Sequence, residues 1–278
     1  MSELIWDHTP SLRAPVVVAA FEGWNDAGDA ASNALDLLIE RWDATPFASI
    51  DAEQFYDFTS LRPQSVIDEG DIRRLEWPEN TFWYATPPGA PDVILLRGVE
   101  PHLKWRTFCA QVLEVATATR ARLVLTLGAL LADVPHSRPC AVYGTAYDPS
   151  VIESLGLEPS RYEGPTGIVG VLHSECTAAS VNSASFWAAV PSYVAAAPSP
   201  KAQRALVDRV CELLQTSVDA SGLAEEEADY ETQISALVAE DPETLSYVRH
   251  LEEEHDRLGH PADVEALVAE VERFLEEQ

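Results

Sequence analysis

Three short polar stretches, each closing a run of apolar residues, hold the side chains with the most chemical capacity. Asn25 and Asp26 follow residues 16–21, Arg97, Glu100 and His102 follow residues 92–96, and Asp133 and His136 follow residues 123–127. If the apolar runs are neighbouring parallel strands, these turns come to one edge of a sheet, where ligands of open α/β folds bind. An acid, an imidazole and a guanidinium on one edge can move a proton or hold a polar ligand. The candidate ligand-binding set is Asn25, Asp26, Arg97, Glu100, Asp133 and His136. The same residue types also fit a plainer role, in which Asp133, His136 and Arg138 tie their loop down by hydrogen bonds and ion pairs. No catalytic residue, metal site or cofactor is assigned.

The first turn narrows the chemistry. Glu22, Asp26 and Asp29 give it three carboxylates and no base. A helix N-terminus attracts anions, and here the chain's own acids fill that place, with Asn25 or Asp26 as the N-cap and Asp29 in the first turn. Capping competes with a site for a hydroxyl-bearing ligand or a hard divalent cation; a phosphate site fits least.

Other motifs are absent or bland. There is no G-x-G-x-x-G after a strand, no G-x-x-x-x-G-K-[ST] and no G-x-S-x-G. His250 and His255 lie five apart, about 140° from each other on a helix, which is not a zincin pair. His173-Ser174-Glu175-Cys176 offers a nucleophile beside a base, but adjacent residues on a helix do not face each other, so the pairing needs tertiary help. Cys109, Cys140, Cys176 and Cys211 are too widely spaced for a zinc or disulfide framework, and Cys109 and Cys211 fall on apolar helix positions that suit buried thiols.

The elements that must position these residues follow from periodicity. Residues 16–21, 92–96 and 123–127 read as strands buried on both faces, as in parallel sheets. Ala31, Leu35, Leu38 and Trp42 mark an amphipathic helix, as do Trp105, Phe108, Val112 and Val115 over residues 103–119. Residues 47–57, 141–146 and 184–190 read as further strands and 149–155 as a short helix. Residues 72–77 and 81–85 read as a hairpin-like pair joined at 78–80. Ser199 and Pro200 start a helix that runs to about 218. The alternation predicts an α/β fold with a mostly parallel sheet between helix layers.

The chain changes character near residue 219. From there only helical periodicity appears, over about 223–240, 242–258 and 261–277. The predicted organisation is a 1–218 α/β/α domain and a 219–278 acidic helical subdomain. Of the net charge of −28, this last stretch, with 19 acids against 3 arginines, carries −16. Such a balance excludes polyanion binding by charge, so no nucleic-acid partner is expected. No run of about 18 apolar residues predicts a membrane span, and no signal peptide leads the chain. A cytoplasmic protein is the expectation.

Several motifs together resemble the proteasome assembly chaperone family, of the second-subunit type and in the form common in actinobacteria and archaea. They are Ala20-Phe21-Glu22-Gly23-Trp24-Asn25-Asp26-Ala27-Gly28, Arg62-Pro63, Arg97-Gly98-Val99-Glu100-Pro101 with Trp105, Leu127-Gly128-Ala129, Asp133-Val134-Pro135-His136-Ser137-Arg138-Pro139, Gly164-Pro165-Thr166-Gly167-Ile168 and Trp187-Ala188-Ala189-Val190-Pro191. The resemblance covers about residues 10–218. It implies a three-layer α/β/α fold similar to nucleoside phosphorylases, self-association into a homo-oligomer, and a non-enzymatic assembly or protein-binding role. Some members dock on the proteasome ring through a C-terminal hydrophobic–Tyr–any-residue tail, which Arg273-Phe274-Leu275-Glu276-Glu277-Gln278 does not spell. The alternative function is a nucleoside-like ligand binder or hydrolase using the strand-end turns.

Overall fold

Apolar runs of β-branched and aromatic residues dominate the strands, and 3.6-residue periodicity dominates the helices. The computed structural model describes residues 3–68, 71–160, 162–194 and 197–258. The strands are β1 (Leu4–Trp6), β2 (Val16–Glu22), β3 (Thr45–Ile50), β4 (Gln64–Ile67), β5 (Arg73–Glu76), β6 (Asn80–Ala85), β7 (Val93–Val99), β8 (Leu123–Ala132), β9 (Val142–Ala146), β10 (Glu158–Pro159) and β11 (Ser183–Pro191). The helices are α1 (Ala30–Arg41), α2 (Trp105–Ala118), α3 (Pro149–Leu155), α4 (Ile168–Ala178), α5 (Pro200–Leu214), α6 (Ser221–Glu240) and α7 (Pro242–Leu258). The helix expected over 261–277 lies outside the described residues.

Nine strands form one sheet in the order β1-β3-β6-β7-β2-β8-β11-β9-β10. Its centre, β7-β2-β8-β11, is parallel, whereas β1, β3, β6 and β9 join by antiparallel pairings. The strand β2 shows why the sheet must be sandwiched. Val16, Val18 and Ala20 pack into one apolar cluster with α1 and α5. Val17, Ala19 and Phe21 pack into another with α2 and α4. Successive side chains of a strand point to opposite faces, so an unbroken apolar run needs a helix layer on each side. The fold is a three-layer α/β/α sandwich.

One pairing differs from the sequence reading. Residues 73–76 pair with β4, as a separate two-stranded hairpin, and not with residues 80–85. Strand β6 lies instead between β3 and β7, with Asn80 and Phe82 fully buried. The rest of the expected second strand, after Ile50, leaves the sheet through a short 3-10 turn.

The helices α6 and α7 pack on each other and on residues 192–194, through Tyr230, Ile234, Val238 and Val248 against Tyr193, Val194 and Leu245. Among the described residues, no helix is long and apolar enough to cross a membrane.

Candidate functional site

The parallel strands β7, β2, β8 and β11 all end at one edge of the sheet, and the candidate residues sit in the turns there, except Arg97. The structure places Arg97 within β7, paired with Ala20 and Thr81, because the strand runs on to Val99. Asn25 and Asp26 are adjacent and both buried, yet they serve opposite layers. The Asp26 carboxylate turns to α1, where Oδ1 accepts the backbone N–H groups of Ala31 (2.7 Å) and Ser32 (3.2 Å). It therefore does a cap's chemistry from upstream, while Asp29, at the cap position itself, makes no side-chain cap bond. Burial raises the Asp26 pKa, and its bonds to Ser32 and Ala31 pull the other way. Its second oxygen, Oδ2, is buried without a hydrogen-bond partner. Gly28, at φ +60°, lets this turn approach α5: a Cβ there would lie 3.0 Å from the Ser199 Cβ, and Ser199 N–H bonds to the Gly28 carbonyl at 2.8 Å.

Asn25 turns to the α2–α4 layer. Its Nδ2 donates to Glu100 Oε1 at 2.9 Å, and the same oxygen accepts the Ile168 N–H at 2.8 Å. Glu100 thus occupies the N-terminus of α4, where an acidic side chain is favoured. Gly167 is required beside it, because an added Cβ would lie within 2.4–2.7 Å of the Asn25 amide and of Glu100 Oε1. Arg97 bridges Glu22 (2.6 Å) and Asp36 of α1 (2.9 Å). His102 accepts the Asp57 N–H through Nδ1 at 3.1 Å, so it braces the loop after β3.

The third turn holds α6 and α7. His136 is buried. Its Nδ1 meets the Tyr193 hydroxyl (2.8 Å) and its Nε2 the Ser235 hydroxyl of α6 (3.0 Å). Burial lowers the His136 pKa and keeps the ring neutral, with Lys201 acting in the same sense and Glu252 and Glu231 against it. Asp133 accepts from Ser192 (3.2 Å) and from the Tyr247 hydroxyl of α7. Ser137 bonds to Glu252, and Arg138 grips Asp256 with two bonds of 2.7 and 2.8 Å. Lys201 donates to the carbonyls of His136 (2.7 Å) and Arg138 (2.8 Å) and pairs with Glu231.

The structure therefore brings Asn25 together with Glu100, and Asp133 together with the His136 loop. It puts Asp26 on the other face of the sheet from Asn25 and ties Arg97 to α1. Sequence reasoning did not name Tyr193, Ser235, Lys201 or Gly167 as parts of this edge. Only Gly167 had a signal, its place in the Gly-Pro-Thr-Gly-Ile stretch. Elsewhere, His173 is a core residue: it meets Thr126 Oγ1 at 2.9 Å, and burial drives its pKa to about 4. Burial pushes Cys109 and Cys176 up to about 12, so these thiols are not poised as nucleophiles. Among the described residues, no group of three or more His, Cys, Asp or Glu could hold a metal ion.

What the edge leaves open includes two large apolar side chains among exposed Glu22, His102 and Lys104. Trp24 and Leu103, on the turns after β2 and β7, are about half exposed. The excursion between β3 and β6 rises from the same edge, because β6 runs antiparallel between β3 and β7. It carries the β4–β5 hairpin, with Ile67, Leu75 and Trp77 exposed.

This α/β/α sandwich, with its strand-end turns braced by their own chain, places the protein in a class known from sequence and structure. The PAC2 family model matches residues 20–238, and the chain belongs to the PAC2 family. It is similar to a PAC2 family protein from Streptomyces avermitilis, at 44% identity over 84% of this chain and 99% of that one, with a TM-score of 0.79. It is also similar to a proteasome-assembly chaperone homologue from Mycobacterium tuberculosis, at 46% identity, 84% and 99% coverage and a TM-score of 0.76. An archaeal proteasome activator from Pyrococcus furiosus shares the fold, at 18% identity, 85% and 99% coverage and a TM-score of 0.69. No curated protein matches the chain.

Proposed function

We propose that the chain is a non-enzymatic assembly factor, cytoplasmic and self-associating, that binds a protein partner through the open half of its strand-end edge. Family membership supports the protein-binding part, since one solved relative is described as a proteasome-assembly chaperone homologue. The single observation that carries the non-enzymatic part is the use of the polar residues. Glu100 caps α4, Arg97 braces α1, and the Asp133–Arg138 loop holds α6 and α7. Groups engaged in this way are not poised for proton transfer, while exposed Trp24 and Leu103 beside them suit a protein interface. The test is affinity capture of the tagged full chain from its native cell. Recovery of an oligomeric complex or its unassembled subunits is the expected result, with proteasome subunits the first to look for. Recovery of nothing beyond the chain itself contradicts the reading.

A second reading, a nucleoside-like ligand at the turns, has one observation in its favour: the buried, unpartnered Oδ2 of Asp26. Thermal shift with nucleosides, nucleotides and divalent ions tests it. Stabilisation that Asp26→Asn abolishes supports this reading; no stabilisation by any of them removes it.

A further inference from the structure

The β4–β5 hairpin stands apart from the nine-stranded sheet and exposes both its faces and both its edges among the described residues. An isolated two-stranded hairpin is marginally stable in water, and a free edge with apolar neighbours is a template for another strand. Which edge is ready to pair follows from the ladder. Asp68 N–H bonds to the Ile72 carbonyl, and Arg74 and Glu76 stand opposite Val66 and Gln64. Hydrogen-bonded pairs alternate along an antiparallel ladder. The main-chain groups of residues 72, 74 and 76 therefore turn to β4, and those of Arg73, Leu75 and Trp77 turn outward.

The side chains along this free edge complement themselves. Two copies of β5 related by a two-fold axis must pair so that one residue meets its own symmetry mate. With Leu75 on that axis, Arg74 of each copy lies opposite Glu76 of the other, and Arg73 opposite Trp77. The face bearing Leu75 then joins two apolar side chains at the centre with two Arg–Trp cation–π contacts flanking them. The other face carries two opposite-charge pairs, which stabilise cross-strand neighbours. Moving the axis to Arg74 would set like charges against each other. The five side chains are accessible: Arg73 is exposed, Leu75 and Trp77 are exposed by 56% and 44%, with the Trp77 ring edge-on to Phe58 at 4.8 Å, and Arg74 and Glu76 form an exposed pair with each other.

We propose that β5 pairs edge to edge with β5 of a second copy of this chain, joining the two hairpins into one four-stranded sheet around Leu75. The proposal rests on the reading of the chain as self-associating and gives that association a surface. Its chemistry selects a second copy, because the charge pattern of the strand matches its own inverse.

Sedimentation of the full chain over a concentration range tests it. The wild type should form dimers or even-numbered assemblies. Leu75→Asp, which sets two carboxylates on the axis, should shift them to smaller species. Arg74→Glu should weaken the association tenfold or more, and the swap Arg74→Glu with Glu76→Arg should restore it. Circular dichroism should show all variants folded, since the changed residues are exposed. Directly opposed residues of a hydrogen-bonded antiparallel pair lie about 5.5 Å apart at Cα, within disulfide reach. Leu75→Cys should therefore cross-link two chains under mild oxidation, and Ser65→Cys on β4 should not. Assemblies unaffected by Leu75→Asp, without a Leu75→Cys cross-link, overturn the interface but leave self-association standing. A wild-type chain that is monomeric at every concentration overturns both.

Discussion

The two halves of the strand-end edge use their residues differently. Over β8 and β11 the edge is covered by the chain's own α6 and α7. The cover is polar: His136 on Ser235, Arg138 on Asp256 and Glu252, and Lys201 on Glu231, around a core of four buried side chains. Over β2, β7 and β3, Asp26 is turned inward onto α1 and Asn25 and Glu100 onto α4, and the outward surface sets Trp24, Leu103 and the hairpin among exposed Glu22, His102 and Lys104. The difference teaches that polar residues at a strand-end edge need not form an active site. One half spends them on holding two helices, and the other on closing helix N-termini. What remains outward suits a protein partner.

The largest effect that sharpens this comparison falls beneath both halves, on His173. Its pKa is about 4 when folded and about 6.5 as a free imidazole, so the unfolded chain binds the extra proton between those values. Stability contributed by the neutral ring is complete above about pH 6.5 and is lost as pH falls toward 4. The loss is roughly 3 kcal/mol at the lower end. His173→Gln, which keeps a partner for Thr126, should flatten that acid limb in urea melts at stepped pH. An unchanged limb would move the acid sensitivity to the His136 side of the comparison.

On the open half, Glu100→Ala strips the acceptor from both Asn25 and Ile168 and should cost about 2 kcal/mol. Glu100→Gln, which retains an acceptor oxygen, should cost less. Denaturant midpoints measure both, and equal losses would mean that the α4 joint depends on charge rather than on the hydrogen bonds. On the covered half, Arg138→Ala removes an exposed fork and should cost about 1 kcal/mol or less. It should speed amide exchange in α6 and α7 and leave β2 and β8 unchanged. Faster exchange across β8 as well would show that the helices are part of the main core.

Much of the fold was legible because its signals are local. Residues 16–21 are apolar at every position, which only a strand covered on both faces tolerates, and α5 announces itself by Ser199 and Pro200. The pairing of β5 was not legible. Residues 73–76 and 80–85 are both strands and lie close in sequence. What decides the pairing is that buried Asn80 and Phe82 make β6 an interior strand, a fact of tertiary packing. At the edge, the residue types were legible but their partners were not. Ser235, Glu252 and Asp256 lie 99 to 118 residues from the side chains they hold. The opposed facing of Asn25 and Asp26 comes from the turn that follows β2, closed by the Asp26 N–H on the Gly23 carbonyl at 3.1 Å, a local geometry that the apolar pattern of the strand does not carry.

The central claim, that the open half meets a protein while the covered half serves the chain itself, has a direct test. Tagged full chains bearing Trp24→Glu or Arg138→Ala are expressed in the native cell, and the partners captured by the wild type are quantified in each. Loss of the partner with Trp24→Glu and its retention with Arg138→Ala is the predicted result. Retention with Trp24→Glu and loss with Arg138→Ala would contradict the account.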